Sequence, residues 1–448
     1  MPPSRSFGER SPRHFCVAQV KFRFWIALIA ELALFASLNF FDDWTLQLMP
    51  LKFVATAIAC GLAYLLATAE FDATANNALT IFWVTTIALR LLALPLEPAT
   101  EVWRYQADGA IQRAGLNPYK TSPVNAGNAV KIGDIARVPR NDEPAAYAPG
   151  AAIFFRAVPA SGSPLVYKFI FAAADLLAVA LLLRLVDVQT AAWFAWNPLV
   201  AYSFAGAAHF DSIVLLAIVT VLAALTRFEE SGNTKSRWIY AVGAAIAFGV
   251  AISFRPVMIV LLVPTALALR RYTVTLLLGI LIPLGSSFAV GIHGFAPSAF
   301  FGDFDQVSRL NDLAWWILED TVWPNWHQQH YRYDLVIVIV STISALVFVR
   351  NWKRGMLWSL GAAIILAPVL HPWYVTWILP LAAWRRAFAW HLLSVTIFAY
   401  YLFFNQRGLF AVELPWHADP WLRGMIILPV VFAMVMLARQ RLSRKESD

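Results

Sequence analysis

The chain has 448 residues, of which 60% are hydrophobic and only 14% are charged, and its mean hydropathy is +0.61. Soluble proteins carry roughly 25% charged residues, so this composition excludes a soluble globular protein. The net charge of +8 is typical of a membrane protein with basic cytoplasmic segments, and no basic run with interleaved aromatic residues indicates binding to nucleic acid.

The chain begins with a basic tail, residues 1–23, followed by an apolar run that is too long for the hydrophobic region of a signal peptide. We interpret this run as a retained first span. More apolar runs follow, and a bilayer admits only helix bundles and closed barrels. Because the runs are continuous, they predict a single all-α domain over residues 1–448, a polytopic transmembrane helix bundle with about 11–14 spans.

The basic residues predict on which side of the membrane each connection lies. With the N-terminus in the cytoplasm, most basic connections and the basic tail 439–448 fall inside, as the positive-inside rule requires. The acidic connection at 70–77 is an exception. The same alternation places two long loops, 97–163 and 293–333, on the extracytoplasmic face. We therefore predict a multi-pass protein of the cell membrane with an extracytoplasmic active site.

The segment after the third apolar run is the most informative part of the chain. Read as a helix at about 100° per residue, one face carries Glu101, Arg104, Tyr105, Asp108 and Gln112, and the other is largely apolar. This pattern predicts an amphipathic interfacial helix that presents a carboxylate and a guanidinium to a water-filled cavity. The alternative is a solvated juxtamembrane helix without chemistry.

Several ionisable residues interrupt the apolar sequence. Arg255 and His371 each precede a proline between two apolar runs, where ionisable groups are costly and are often functional. At both points we expect broken or re-entrant helices. Glu31, Arg90 and Asp175 lie inside predicted spans, and we expect Arg90 to pair with one of the two acids.

The order of the polar motifs resembles that of a known enzyme family. The chain reads Glu-x-x-Arg-Tyr-x-x-Asp-Gly from Glu101, Gly-x-Asn-Pro-Tyr ending at Tyr119, and Tyr-x-Pro from Tyr147. It then carries Ala-His-Phe-Asp ending at Asp211 and His-Pro-Trp-Tyr from His371. This is similar to bacterial GT-C membrane glycosyltransferases, in particular to polyprenol-phosphate-mannose-dependent mannosyltransferases.

The chain departs from the family's pattern at three points. The acidic pair of the family is Thr100-Glu101 here, the tryptophan before Asp-Gly is Ala107, and the Tyr-Pro-Pro motif has Ala148 in the middle. Only Glu101 therefore remains as the catalytic carboxylate candidate of the acidic pair, and glutamate reaches one methylene further than aspartate.

The resemblance implies transfer of a hexose, with mannose expected, from a polyprenyl-phosphate donor to an extracytoplasmic glycan or glycolipid acceptor. Such a transfer needs a base for the acceptor hydroxyl and cations for the departing phosphate. Glu101 is the expected base, and Arg104, Arg255 and His371 are the expected phosphate ligands. The expected lining of the substrate cavity is Tyr105, Asp108, Asn117, Tyr119, Tyr147, His209, Asp211, Trp373 and Tyr374.

No cofactor is predicted, although a divalent metal is an open alternative because His, Asp and Glu are all ligand types. Two other functions are also open. A transporter of a lipid-linked or polyol substrate would bury ionisable groups at helix breaks, but such proteins usually show an internal repeat that this sequence lacks. The second open function is that of a non-catalytic assembly subunit with the same fold, because Glu101 stands where the family usually has an aspartate.

Overall fold

The computed structural model describes residues 13–44, 46, 48–127, 130, 135–158, 163–290, 311–318, 333–407 and 420–447. Every regular element in these ranges is helical, which confirms the predicted all-α class. The α-helices are α1 (Arg13–Ser37), α2 (Met49–Glu70), α3 (Ala78–Ala93), α4 (Glu101–Arg113), α5 (Pro149–Ala157), α6 (Leu165–Leu182), α7 (Val188–Ala195), α8 (Pro198–Ala201), α9 (Asp211–Glu230), α10 (Thr234–Phe254), α11 (Leu262–Leu269), α12 (Leu276–Val290), α13 (Trp315–Ile317), α14 (Tyr333–Val347), α15 (Trp352–Ile365), α16 (Leu379–Arg385), α17 (Phe388–Thr396), α18 (Leu402–Arg407) and α19 (Pro420–Ser447).

Six helical stretches among the described residues are long and apolar enough to cross a membrane, which confirms a polytopic membrane protein. They are Phe22–Phe40, Met49–Glu70, Leu165–Leu182, Asp211–Glu230, Thr234–Phe254 and Pro256–Ser286. Four shorter apolar stretches are Ala78–Ala93, Tyr333–Val347, Phe388–Phe404 and Pro420–Met436. The total of about 11–14 spans stays a prediction.

The helical backbone is interrupted before both of the prolines at which the sequence predicts a break. α10 ends at Phe254, Arg255 is extended with φ −137° and ψ 98°, and a 3-10 helix begins at Pro256. His371 is likewise extended, with φ −83° and ψ 149°, before the 3-10 helix Pro372–Ile378. A proline disfavours helical geometry in the residue before it, so each ionisable side chain is placed on a non-helical residue between helices.

The predicted tails are partly helical. α1 begins at Arg13, and α19 continues to Ser447, so helical backbone extends into the segments 1–23 and 439–448. Of the predicted loop 293–333, only residues 311–318 and 333 are among those described.

Buried polar contacts hold the spans together. Arg90 donates from Nε to Asp175 at 2.7 Å, so the predicted pairing is confirmed, with Asp175 as the partner. Another nitrogen of Arg90 donates to the carbonyl of Ala195, at the end of α7. The ammonium of Lys168 on α6 donates to the carbonyls of Leu94 and Leu96, just beyond α3. These contacts tie α3, α6 and α7 together beneath the loop that follows α3.

Candidate active site

The first loop contains two helices that pack against each other. α4 spans Glu101–Arg113, and Gly115, with φ 79°, reverses the chain soon afterwards. A side chain at Gly109 would clash with the carbonyl oxygen of Phe155 on α5. Because most of α4 is buried, including Arg104, Tyr105, Asp108 and Gln112 of its polar face, it does not present a whole polar face to a water-filled cavity. In this respect the prediction was wrong, since periodicity does not reveal what covers a helix.

Arg104 and Asp108 form a buried ion pair that holds the loop. Arg104 donates from Nε to Asp108 at 2.9 Å, and the two side chains are 6% and 1% exposed. Its other nitrogens donate to the backbone carbonyls of Arg140, at 2.6 Å, and Glu143, at 2.8 Å. The guanidinium predicted to bind phosphate is thus used by the protein itself.

Asn117 and Tyr119 form a turn that positions Tyr147. The Asn117 side chain accepts a hydrogen bond from the backbone N–H of Tyr119 at 2.9 Å, which is an Asx turn. The Tyr119 hydroxyl then donates to the carbonyl of Tyr147 at 2.7 Å. The turn and this hydrogen bond therefore connect Asn117 and Tyr119 with the backbone of Tyr147.

Tyr147 belongs to an aromatic wall between the loop and the bundle. The rings of Tyr105 and Phe155 are stacked with centroids 4.4 Å apart, and Tyr147 meets both edge-on at 5.4 Å. Phe210, just before α9, packs against Tyr105 at 5.6 Å and Tyr147 at 5.7 Å. This wall joins the first loop to the segment that carries His209 and Asp211.

Arg255 and Asp211 form a second ion pair, at the broken end of α10. Arg255 donates from Nε and Nη2 to the two carboxylate oxygens, each at 2.9 Å. Asp211 is fully buried at the N-terminus of α9, whereas the Arg255 side chain is 20% exposed. Two aromatic rings pack against the guanidinium, whose central carbon lies 4.4 Å from the centroid of Phe210 and 5.1 Å from that of Tyr374. Its pKa is raised, chiefly by Asp211, so it is permanently charged.

Trp373 lies between two imidazoles. Its ring stacks on His209 at 3.6 Å and on His371 at 4.4 Å. Burial lowers the pKa of His371 to about 3, with Arg255 contributing, and burial also lowers that of His209. Both rings are therefore neutral at physiological pH. His371 Nδ1 lies 3.0 Å from the hydroxyl of Tyr400, which orients the imidazole.

An irregular backbone brings His209 to this stack. A π-helical turn, Tyr202–Gly206, is followed by Ala208, whose φ of 62° is unusual for a residue with a side chain. The N–H of His209 donates to the carbonyl of Ser203 at 2.9 Å. Such turns are frequent at functional sites, and this one turns the chain between α8 and α9.

Glu101 lies at the junction of these groups. The N–H of Ala99 donates to the carbonyl of Ala207 at 3.0 Å, which fixes the start of α4 beside the segment that leads to α9. Burial raises the pKa of the Glu101 carboxyl, and Asp211 adds to the rise, while hydrogen bonds and Arg255 oppose it. The carboxylate is therefore within electrostatic range of both members of the second ion pair.

The structure thus brings together Glu101, Tyr105, Tyr147, His209, Asp211, Arg255, His371, Trp373 and Tyr374 at one end of the bundle. Trp377, Phe210 and Tyr400 also belong to this end, and the sequence did not single them out. Trp377 donates from Nε1 to Asp211 at 3.1 Å. In the sequence, only the nearby motif residues His209, Asp211 and Tyr374 could have indicated these three aromatic residues. Within the described ranges, no group of three or more His, Cys, Asp or Glu side chains is placed to hold a metal ion.

The apolar helical bundle defines a polytopic membrane protein, with the candidate active site at one end of it. A family model for the N-terminal domain of alpha-(1->6)-mannopyranosyltransferases matches residues 31–271. The match covers more than half of the chain, which therefore belongs to this family and is a membrane glycosyltransferase of the mannosyltransferase type. No curated protein and no solved structure matches the chain.

Proposed function

We propose that this protein transfers mannose from a polyprenyl-phosphate donor to an extracytoplasmic glycan or glycolipid, with Glu101 as the general base. The observation that carries the proposal is the placement of a carboxylate with a raised pKa within electrostatic range of the partly exposed Arg255. Family membership supports mannose as the sugar and disfavours the transporter interpretation.

The proposed step divides the chemistry between these two side chains. The acceptor oxygen attacks the anomeric carbon, and the bond from that carbon to the phosphate oxygen breaks with its electron pair on the phosphate. Glu101 takes the hydroxyl proton, and its raised pKa makes it a stronger base than an ordinary carboxylate. Arg255 stabilises the charge that develops on the departing phosphate.

Arg255 is suited to this task because Asp211 uses only one edge of its guanidinium. Nε and Nη2 bind Asp211, and Nη1 is the remaining nitrogen. The rings of Phe210 and Tyr374 pack against the guanidinium and restrict its movement. A planar cation fixed in this way binds a phosphate without first losing side-chain freedom. His371 is neutral, so we assign it a hydrogen bond to the donor phosphate in place of a charge.

The test is transfer by purified protein in detergent from labelled polyprenyl-phosphate sugars, with a soluble nucleotide sugar as the comparison donor. We expect mannose transfer from the lipid-linked donor and a loss of roughly 10²–10⁴-fold in Glu101→Gln. Asp142→Asn is the matched control, because Asp142 is an exposed acid of the same loop. Wild-type-like turnover in Glu101→Gln would reject Glu101 as the base, and inactive wild-type protein would favour a non-catalytic subunit.

The side of the membrane is tested by cysteine labelling in intact spheroplasts. Asn125 is an exposed residue of the first loop, and Lys235 is exposed in the first turn of α10, at the opposite end of the bundle. We expect an impermeant thiol reagent to label Asn125→Cys before lysis and Lys235→Cys only after lysis. The reverse pattern would place the site on the cytoplasmic face.

A further inference from the structure

Two glycines of the first loop belong to its sequence motifs but have no part in the proposed mechanism. Gly109 ends the Glu-x-x-Arg-Tyr-x-x-Asp-Gly pattern on α4, and Gly150 follows Tyr-Ala-Pro at the start of α5. Neither has a positive φ, whereas Gly115 and Gly127 do. The backbone conformation at Gly109 and Gly150 is therefore open to residues with side chains, and the reason for glycine must be sought in the space around it.

Gly109 brings the backbones of α4 and α5 into contact. A Cβ atom at this position would lie 2.3 Å from the carbonyl oxygen of Phe155 and 2.9 Å from its carbonyl carbon. The side chain of Gln112, three residues further along α4, donates to the carbonyl of Ala152 on α5 at 2.8 Å. The two helices are therefore held at one separation, by a backbone contact and by a buried hydrogen bond.

Gly150 brings α5 into contact with the broken end of α10. A Cβ atom here would lie 2.5 Å from the hydroxyl oxygen of Ser253 and 2.7 Å from its carbonyl oxygen. The rings of Phe154 and Phe254 pack beside this contact, with centroids 6.0 Å apart. Ser253 lies two residues before Arg255, so the first loop packs directly on the last turn of α10.

The two contacts form a path of backbone from the base to the cation. α4 begins with Glu101, α5 packs on α4 at Gly109, and the end of α10 packs on α5 at Gly150. Because non-bonded carbon atoms pack at about 3.5–4.0 Å, a methyl group at either glycine would force two helices apart by roughly 1 Å. A displacement of about 1 Å between reacting groups can cost about 10²-fold in rate.

We propose that Gly109 and Gly150 are positioning residues, which set the separation between Glu101 and Arg255 that the transfer requires. The inference rests on the proposed function. The base must reach the acceptor hydroxyl while the cation binds the departing phosphate, so the two side chains must be held a fixed distance apart around the anomeric carbon. The backbone contacts at the two glycines provide this distance, because backbone atoms cannot change rotamer to accommodate a side chain.

The test measures kcat and both KM values in Gly109→Ala and Gly150→Ala, with kcat referred to the folded protein found by gel filtration in detergent. We expect each substitution to lower kcat by roughly 10²-fold. The KM for the donor and that for the acceptor should stay within a few-fold of the wild type, because the groups that bind each substrate remain. Wild-type kcat in a folded alanine variant would overturn the proposal.

Gly243→Ala is the matched control. Gly243 lies on α10, and no atom of the described residues stands within 4 Å of the place that its Cβ would occupy. The substitution makes the same chemical change as the other two without moving a helix, so kcat should equal that of the wild type.

A double-substitution cycle with Glu101→Asp separates positioning from a loss of stability. Glu101→Asp withdraws the carboxylate by one methylene and leaves both glycines unchanged, so it should lower kcat by itself. In combination with Gly150→Ala, the two losses in kcat should not multiply, because both substitutions change the same separation. Losses that multiply would show independent effects and would overturn the proposal.

Glu101→Asp also tests the proposal if the alanine variants do not fold. Wild-type kcat in Glu101→Asp would show that the position of the base does not matter to within one methylene, and would overturn the need for a fixed separation. Failure of the proposed function is distinct, because the wild-type protein would then show no transfer from any polyprenyl-phosphate sugar.

Discussion

Two Arg–Asp ion pairs lie near Glu101, and they differ in how far other groups of the protein occupy each guanidinium. Arg104, paired with Asp108, is 6% exposed, and its other nitrogens donate to the backbone carbonyls of Arg140 and Glu143. Arg255, paired with Asp211, is 20% exposed and is bordered by two aromatic rings. The same pair of residue types therefore fixes a loop in one place, and in the other it leaves a partly exposed cation, to which we assign the donor phosphate.

Apart from replacement of the base, Glu101, the largest effect should come from replacing Arg255. Arg255→Ala removes a charge that we assign to the transition state, and losing one such donor costs about 10²–10³-fold in kcat. Arg255→Lys keeps the charge but loses the planar fork, so it should retain part of the activity and show a raised donor KM. Donor and acceptor saturation curves measure both effects.

Arg227→Gln is the control for this comparison, since Arg227 pairs with Glu230 at 2.9 Å at the opposite end of the bundle. It should behave like the wild type. If the defect of Arg255→Ala is confined to the acceptor KM, then Arg255 binds the other substrate, or only holds the break after α10.

The next largest effect should come from replacing Arg104, which should lower the stability of the first loop. Removing one partner of a buried ion pair typically costs about 3–5 kcal/mol. We expect Arg104→Ala to make residues 138–147 sensitive to limited proteolysis and to lower kcat without a selective change in the donor KM. If the variant resisted proteolysis and showed only a raised donor KM, Arg104 would be a ligand of the donor phosphate. The two Arg–Asp pairs would then not differ in their role.

The sequence predicted the elements but not the neighbours of each side chain. The presence of the helix α4 followed from the polar periodicity, and the breaks at Arg255 and His371 followed from their prolines. The further partners of Arg104 are backbone carbonyls about 35 to 39 residues further along the chain. Every residue has a backbone carbonyl, so the residue types do not indicate which carbonyls bind Arg104. Sequence alone could not show which arginine was already occupied.

The same limit explains the aromatic residues that the sequence did not reveal. Trp377 lies six residues after His371, yet its indole N–H binds Asp211, 166 residues earlier in the chain. With 19 tryptophans in the chain, composition cannot distinguish this one from those at the membrane interface. The family match ends at residue 271, so the His371–Trp377 side of the site lies outside it.

A smaller effect is expected at Trp377. Trp377→Phe keeps most of the buried ring but removes the donor to Asp211, and a hydrogen bond to a charged group contributes about 1.5–3 kcal/mol. Asp211 keeps both hydrogen bonds from Arg255, so we expect a loss of roughly tenfold in kcat/KM for the donor. Trp384→Phe is the control, because Trp384 packs at the other end with Trp352. A loss as large as that of Arg255→Ala would mean that Trp377 is needed to hold the pair together.

The smallest effect should follow replacement of His371 by asparagine. Because burial keeps the imidazole neutral, with a pKa of about 3, an amide N–H can substitute for its hydrogen bond. His371→Asn should stay within a few-fold of the wild type, whereas His371→Ala should weaken use of the donor. Activity requires ionised Glu101, so it should fall as the pH drops through the raised pKa of that carboxyl. This acid limb should be the same in His371→Asn as in the wild type. If the limb moved in that variant, the titrating group would be the imidazole, and His371 would act as a cation beside Arg255.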